Sequence, residues 1–445
     1  MRNQNLRVQK KLENAPMTFP LTVTEAGFYT VELTASSSTN WREKGNESTM
    51  IRLSIDGSYQ QDIILFYGER LFTYSRFLGR LEAGQHTLQL ELMPKDRDSS
   101  RVFIEDITVR KQALSEKEKL ACQFTPLLYG RNIYSSRDNL YTDTPLLLLY
   151  VVRKWEKGNM IEYHMVFSHE DEGTPAPFLM SKWGRTLDIE LMCQVYLNWD
   201  EEIEKVSYQG AEHVMTTFKG SYLHHNHPIL QTATCNGNFT DEITSDYRFF
   251  FYPSYEWRIE AEPREVVMEK FPFINQVMVW EAERQLPIEK ESDPDSLHLA
   301  DLTTYLYIQT SRWGVEAGEV SVDFRLQLTG DDNWYSSSFH DFRVHPFSAA
   351  YSGPYPHFAT TLKMPAGKQF SDVEKIAVHL LPDARPSVLV KNIKVLSLQN
   401  PASPKQELYK EFCVELTEEK PEQIVWEKES FSNRCTALKG MDVIL

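Results

Sequence analysis

Two carboxylates stand two residues apart, Asp188 and Glu190, set between Leu187, Ile189 and Leu191. In an extended strand that spacing puts both acids on one face and the three apolar side chains on the other. Paired carboxyl groups are the minimum equipment for hydrolysis by acid and base, or by acid and nucleophile, with separations of roughly 5–9.5 Å in glycosidases. Trp183-Gly184-Arg185 lies just upstream. A guanidinium beside the pair would lower one carboxyl pKa. His169 and His213 add imidazoles able to carry a proton. Asp188, Glu190, Arg185 and His213 are the candidate catalytic set. The same face read without chemistry is a solvated strand, and both readings stay open at this point.

Six of the twelve histidines fall between 164 and 227: His164, His169, His213, His224, His225 and His227. Carboxylates accompany them at Glu170, Asp171 and Glu212. Imidazole with carboxylate and no thiolate suits Ca²⁺, Mg²⁺ or Mn²⁺, and Zn²⁺ where two histidines converge. His169, Asp171 and His227 are the candidate metal ligands, and a divalent metal is the only cofactor expected. No HExxH helix, no glycine-rich phosphate loop and no GxSxG elbow occurs, so three common chemistries lose their signature. Aromatic rings supply candidate ligand contacts at Tyr163, Trp183, Trp334 and Tyr355; packing within a β-rich core is the more usual role of such rings.

The elements that would position these residues are strands. Ile161–Phe167 and 187–195 bracket the richest loop. Upstream, residues 17–110 alternate with period two between turn signals, which reads as an antiparallel sandwich. Residues 113–121 read as a charged linker or short helix. Residues 263–286 have helical spacing interrupted by Pro272, which predicts a kink or two short helices. A polar stretch at 288–301 marks a boundary, and 302–398 returns to strand patterning. The boundaries expected are a jelly-roll module over 1–112, a central β-rich domain over 122–290, a sandwich over 302–399 and a tail over 400–445.

Gly27-Phe28-Tyr29 with the strand after it, Ile55-Asp56-Gly57, the run Leu78–His86 and the closing strand Phe103–Val109 resemble carbohydrate-binding jelly-roll modules of the galactose-binding-like fold. The resemblance covers about the first hundred residues and implies fold more than function, since relatives include spacers. Tyr163 to Glu190, Tyr208–His213 and His227–Leu230 are similar in order to the Vps62-like and necrosis-inducing-like sandwich proteins. Here Trp183-Gly184-Arg185-Thr186 replaces their histidine-glycine run, and Ile189 replaces a tryptophan between the acids. That resemblance implies an acid-lined sheet end and no reaction.

The chain has 445 residues and a formal charge of −16, from 47 Lys+Arg against 63 Asp+Glu. Such acidity disfavours nucleic acid and anionic membrane as partners. Five scattered cysteines without CxxC argue against a disulfide framework. The first residues lack the apolar core of a secretory signal, and no run reaches the length of a membrane span. The expected location is cytoplasmic, or exported by a route without such a signal. The expectation is therefore a mostly β, multi-domain chain with a short helical segment in its central domain. It would be carbohydrate-associated, taking a glycan or other neutral polymer, with a metal-dependent or carboxylate-based hydrolytic centre. The alternative is a non-enzymatic string of modules that binds glycan or protein.

Overall fold

The computed structural model describes residues 4–13, 15–93, 101–132, 143–170, 174–340, 349–382 and 386–429. The chain is mostly β and divides into two compact units. One comprises Met1–Gly173, Leu187–Arg258 and Gln276–Leu286; the other Thr174–Thr186, Ile259–Asn275 and Pro287–Leu445.

The first unit opens with eight strands. They are β1 (Gln4–Leu12), β2 (Met17–Val23), β3 (Gly27–Ser37), β4 (Thr49–Ile55), β5 (Ser58–Leu65), β6 (Phe72–Leu81), β7 (Gly84–Leu92) and β8 (Val102–Lys111). Their order is β1-β8-β3-β6 in one sheet and β2-β7-β4-β5 in the other, all antiparallel, which is a jelly roll. Alternation buries Val31, Leu33 and Ala35 from β3 against Ile51, Leu53, Leu88 and Leu90 of the facing sheet. Each such leucine or isoleucine contributes roughly 1.5–3 kcal/mol by leaving water.

The jelly roll does not close alone. Residues 248–250 run along the seam between β5 and β6. The Phe250 N–H donates to Gln61 Oε1 at 3.1 Å, Phe77 N–H donates to Phe250 O at 3.0 Å, and Arg248 Nε donates to Gln60 O at 3.1 Å. The expected boundary near 112 is therefore a boundary of topology. The central region belongs to the same compact unit, because buried Gln61 and Asp62 have partners in the 248–250 strand.

The stretch expected as a linker or short helix at 113–121 is helix α1 (Glu116–Phe124), and Ser115 with Glu118 forms its capping box. The main central sheet has the order Met215–Thr217, Ile203–Gln209, Ile189–Leu197, Gly158–Phe167, Pro145–Trp155 and Pro253–Glu256. Only the last pairing is parallel.

The loop expected between the two acid-bearing strands contains helix α2 (Ala176–Trp183), which follows Pro175 and ends on left-handed Gly184. Proline at a helix start and glycine past its end are the usual punctuation. Helices α3 (Val266–Lys270) and α4 (Phe273–Gln285) are two pieces separated at Phe271-Pro272, as the proline requires.

The second unit contains a sandwich of two four-stranded sheets. One runs His357–Lys363, Tyr305–Trp313, Ser387–Ser397, Lys405–Thr417; the other runs Trp334–Ser336, Val322–Leu328, Val373–Leu380, Glu422–Glu427. Phe324, Val378, Val390, Ile393 and Leu416 fill its core. The stretch set apart as a tail thus supplies an edge strand to each sheet.

Candidate functional site

The acid strand is built much as its spacing suggests, but its inner carboxylate is buried. Asp188 and Glu190 share a face, and both lie against Gly237, whose backbone is left-handed at φ +65°. A Cβ there would overlap Asp188 Oδ2 and lie 3.2 Å from Glu190 Cγ. Asp188 is 2% exposed beneath this loop. Glu190 retains some access. It accepts from Gln209 Nε2, and His213 Nδ1 lies 3.7 Å from its Oε2. Hydrogen bonding to Glu190 raises the His213 pKa, with burial opposing. His213 and Glu212 both adopt positive φ on a short turn, a conformation that non-glycine residues adopt at a cost.

Arg185 has a buried carboxylate partner. It belongs to the second unit and pairs there with Glu265 at 3.1 Å, both side chains buried. Trp183 also lies in that unit, edge-on to Tyr351 at 5.2 Å, with the Arg185 guanidinium 5.8 Å from its ring centroid.

The other expected residues are dispersed. Tyr163 is fully buried and donates to Ala121 O at 2.7 Å, so it is a core tyrosine and not a ligand platform. Trp334 and Tyr355 lie on different segments of the second unit. Tyr355 is tied to Tyr351 and faces Arg264, while the Trp334 carbonyl bonds His340. His227 donates from Nδ1 to Thr125 O at 2.8 Å, and burial lowers its pKa to about 4. It is a neutral core imidazole packed edge-on to Phe250. His169 is buried, and Asp171 lies outside the described residues. Among the described residues no three of His, Cys, Asp and Glu converge as a metal site.

A different place has the shape of a binding site. At one end of the jelly roll, loop 38–48 and loop 66–71 meet the start of β8. Ser37 N–H donates to Gly68 O at 2.8 Å, and Ser38 and Arg101 exchange bonds of 2.9 Å. Gly68 is required there, because it is left-handed and a Cβ would lie 2.7 Å from Thr39 O. These loops and α4 enclose a cleft of about 460 Å³, with Asn40, Arg42, Glu43, Tyr67, Glu69, Arg70, Gln276 and Trp280 among its walls. Tyr67 and Trp280 are half-buried rings set edge to face at 5.0 Å. Glu43 is held by the amides of Asn40 and Asn46 at 2.9 Å each, which lowers its pKa. Trp41 is buried under the cleft, 2% exposed.

In the sequence none of these cleft residues carries a ligand-binding motif, and Asn46 stands out only as the start of an Asn-x-Ser sequon. The run Asn40-Trp41-Arg42-Glu43, with Asn46 behind it, has the amide, ring and charge of a sugar-contacting loop. Its partners on α4 come some 240 residues later.

No family model matches the chain, and no curated protein does. The resemblance of the central region to necrosis-inducing-like proteins is thus not shown. Among solved structures, the chain is similar to the CBM36-1 domain of a multidomain xylanase from the hindgut metagenome of Trinervitermes trinervoides. That match is 12% identical over 25% of this chain and 88% of that one, with a TM-score of 0.20. A CBM36 module in complex with calcium and xylotriose matches at 13% identity over 24% and 88%, TM-score 0.19. A family 35 carbohydrate-binding module from Clostridium thermocellum matches at 8% over 25% and 92%, TM-score 0.18. These are distant superpositions of a quarter of the chain, and the jelly-roll assignment rests on the strand order given above.

Proposed function

We propose that the chain is a carbohydrate-binding protein whose glycan sits in the cleft at the loop end of the N-terminal jelly roll. The cleft itself is the observation that carries this reading. Its volume lies within the roughly 300–1,000 Å³ of small-ligand sites. The half-buried faces of Trp280 and Tyr67 suit the apolar face of a sugar ring. Asn40, Asn46 and Gln276 offer amides, and Glu43, Glu69, Arg42 and Arg70 offer charged partners for hydroxyls. An acidic chain of this composition suits a neutral ligand better than an anionic polymer. A hydrolytic role at Asp188 and Glu190 is disfavoured because the Gly237 loop covers Asp188, and general acid or nucleophilic work needs contact with the substrate.

The test is calorimetric titration with xylo-, manno- and galacto-oligosaccharides on wild type and Trp280→Ala. At least one series should bind, and the variant should bind at least tenfold more weakly while melting as wild type does. Absence of binding by all three series, or unchanged affinity of the variant, would overturn the reading.

A further inference from the structure

The cleft is not the property of the jelly roll alone. Its floor is joined to α4 by a buried ionic network. The Trp41 indole N–H donates to Glu281 Oε2 at 2.5 Å. Arg284 binds both Glu281 oxygens at 2.6 and 2.7 Å, reaches Trp41 O at 3.3 Å, and lies 3.6 Å from Glu47. Its guanidinium sits 5.0 Å from the Trp41 ring centroid. The side chains of Glu47, Glu281 and Arg284 are 2%, 0% and 1% exposed. Gln285 Nε2 adds a bond to Glu281 at 2.9 Å. At the surface Arg42 pairs with Glu283 and faces Trp280.

This network spans the strap 40–47 from beneath. Glu47 closes the strap by accepting from Gly45 N–H at 2.8 Å, and Asn40 N–H bonds Asn46 O across it. The planar fork of one arginine meets both acids and a ring, a combination that lysine does not reproduce. Two of the cleft walls are on the same helix: Gln276 lies more than a turn before Glu281, and Trp280 is next to Glu281 and one turn before Arg284.

We propose that Arg284 and Glu281 are positioning residues for the cleft: through Trp41 and Glu47 they hold the strap 40–47 in the shape a ligand meets, so that affinity is set by a helix outside the jelly roll. The proposal rests on the cleft being the glycan site, and its test carries a readout independent of any ligand. The strap exposes two trypsin sites, Arg42 and Lys44. Arg284→Met on the full chain should be cleaved at Arg42 and Lys44 at least tenfold faster than wild type, mapped by mass spectrometry, with cleavage elsewhere unchanged. It should also bind the oligosaccharide found in the titration above at least tenfold more weakly. Arg284→Lys keeps the charge without the fork and is the milder variant if Arg284→Met does not fold; it should show intermediate cleavage and severalfold weaker binding. Folded variants cleaved at the wild-type rate would overturn the proposal, whether or not any saccharide binds. Faster strap cleavage together with unaltered saccharide affinity would also overturn it, because the strap would then be loosened without consequence for the ligand. Wild type that binds no saccharide removes the functional reading alone, and the cleavage comparison still decides whether α4 holds the strap.

Discussion

The cleft over Trp41 and the acid strand at Asp188 use the same materials, carboxylates with aromatic and basic neighbours, and arrive at opposite outcomes. At the acid strand the groups come from nearby sequence and share a face, yet a left-handed glycine closes over the inner carboxylate. At the cleft the groups come from two loops and a helix far apart in the chain, and the rings stay half-open to water. Local spacing therefore brought functional residue types together, and the inner carboxylate is nonetheless buried. Room came from the ends of the sandwich, where loops need not pack on the core.

The largest expected effect concerns what holds the cleft's own module together. Residues 1–112 expressed alone lose the 248–250 segment that pairs with Gln61, Asp62 and Phe77, and lose α4. Buried polar groups left without partners cost about 1–3 kcal/mol each. The fragment is expected to lack a cooperative thermal transition, or to melt far below the full chain. A fragment that melts cooperatively at the full-chain temperature would make the cleft's jelly roll independent of the 248–250 segment and of α4.

The next effect probes the lid on the acid strand. Gly237→Ala places a methyl against Asp188 and Glu190 in a left-handed backbone. Overpacking and the αL penalty together predict a loss of about 3 kcal/mol. Urea melts measure it. A loss below about 1 kcal/mol would mean that the loop lifts easily, which would return Asp188 to the list of accessible acids and erase the contrast between the two sites.

How far each region was legible follows from the same contrast. Strand periodicity located most jelly-roll strands and the central sheet, because one buried face per strand enforces alternation, as Val31, Leu33 and Ala35 show. It missed β1 and Lys405–Thr417, where lysine and glutamate populate an edge strand in place of an apolar face. It read the shared face of Asp188 and Glu190 correctly and could not see Gly237, which is 47 to 49 positions away in sequence and adjacent in space. Arg185 stands three residues before Asp188 in sequence, and its buried pairing with Glu265, some 80 residues later, has no signal in that local spacing. The cleft was invisible for the reason that makes it a cleft: its walls are joined only by tertiary structure.

A smaller effect compares the acids' titration. Burial raises the Glu281 pKa from 4.5 to about 7, although Arg284, Trp41 and Gln285 pull it down. A carboxyl whose folded pKa lies above its unfolded value stabilises the fold most below the unfolded pKa and loses that contribution as pH rises to the folded one. The window is therefore about pH 4.5 to 7, and the amplitude is on the order of 3 kcal/mol. Glu281→Gln should flatten the fall in urea midpoint between pH 5 and 8 relative to wild type. Parallel profiles would show that burial does not raise the Glu281 pKa.

The smallest effect lies at the acid strand's open edge. His213 is about half exposed and its pKa is raised chiefly by Glu190, whose side chain is 17% exposed. A histidine with a raised folded pKa adds stability below its unfolded value and loses it as pH rises through the folded one, here from about 6.5 upward. Solvent screens this pair, so the stabilisation is expected below about 1 kcal/mol and sits within the error of most melts. Proton NMR of the imidazole is the sharper measurement. Wild-type His213 should titrate above 6.5 and Glu190→Gln should bring it back toward that value, with the urea midpoint at pH 6 changed only slightly. If the variant instead loses several kcal/mol, Glu190 is bonded into the sheet as firmly as Glu281 is bonded into the helix. The two regions would then differ in access to ligand alone and not in how tightly their acids are held.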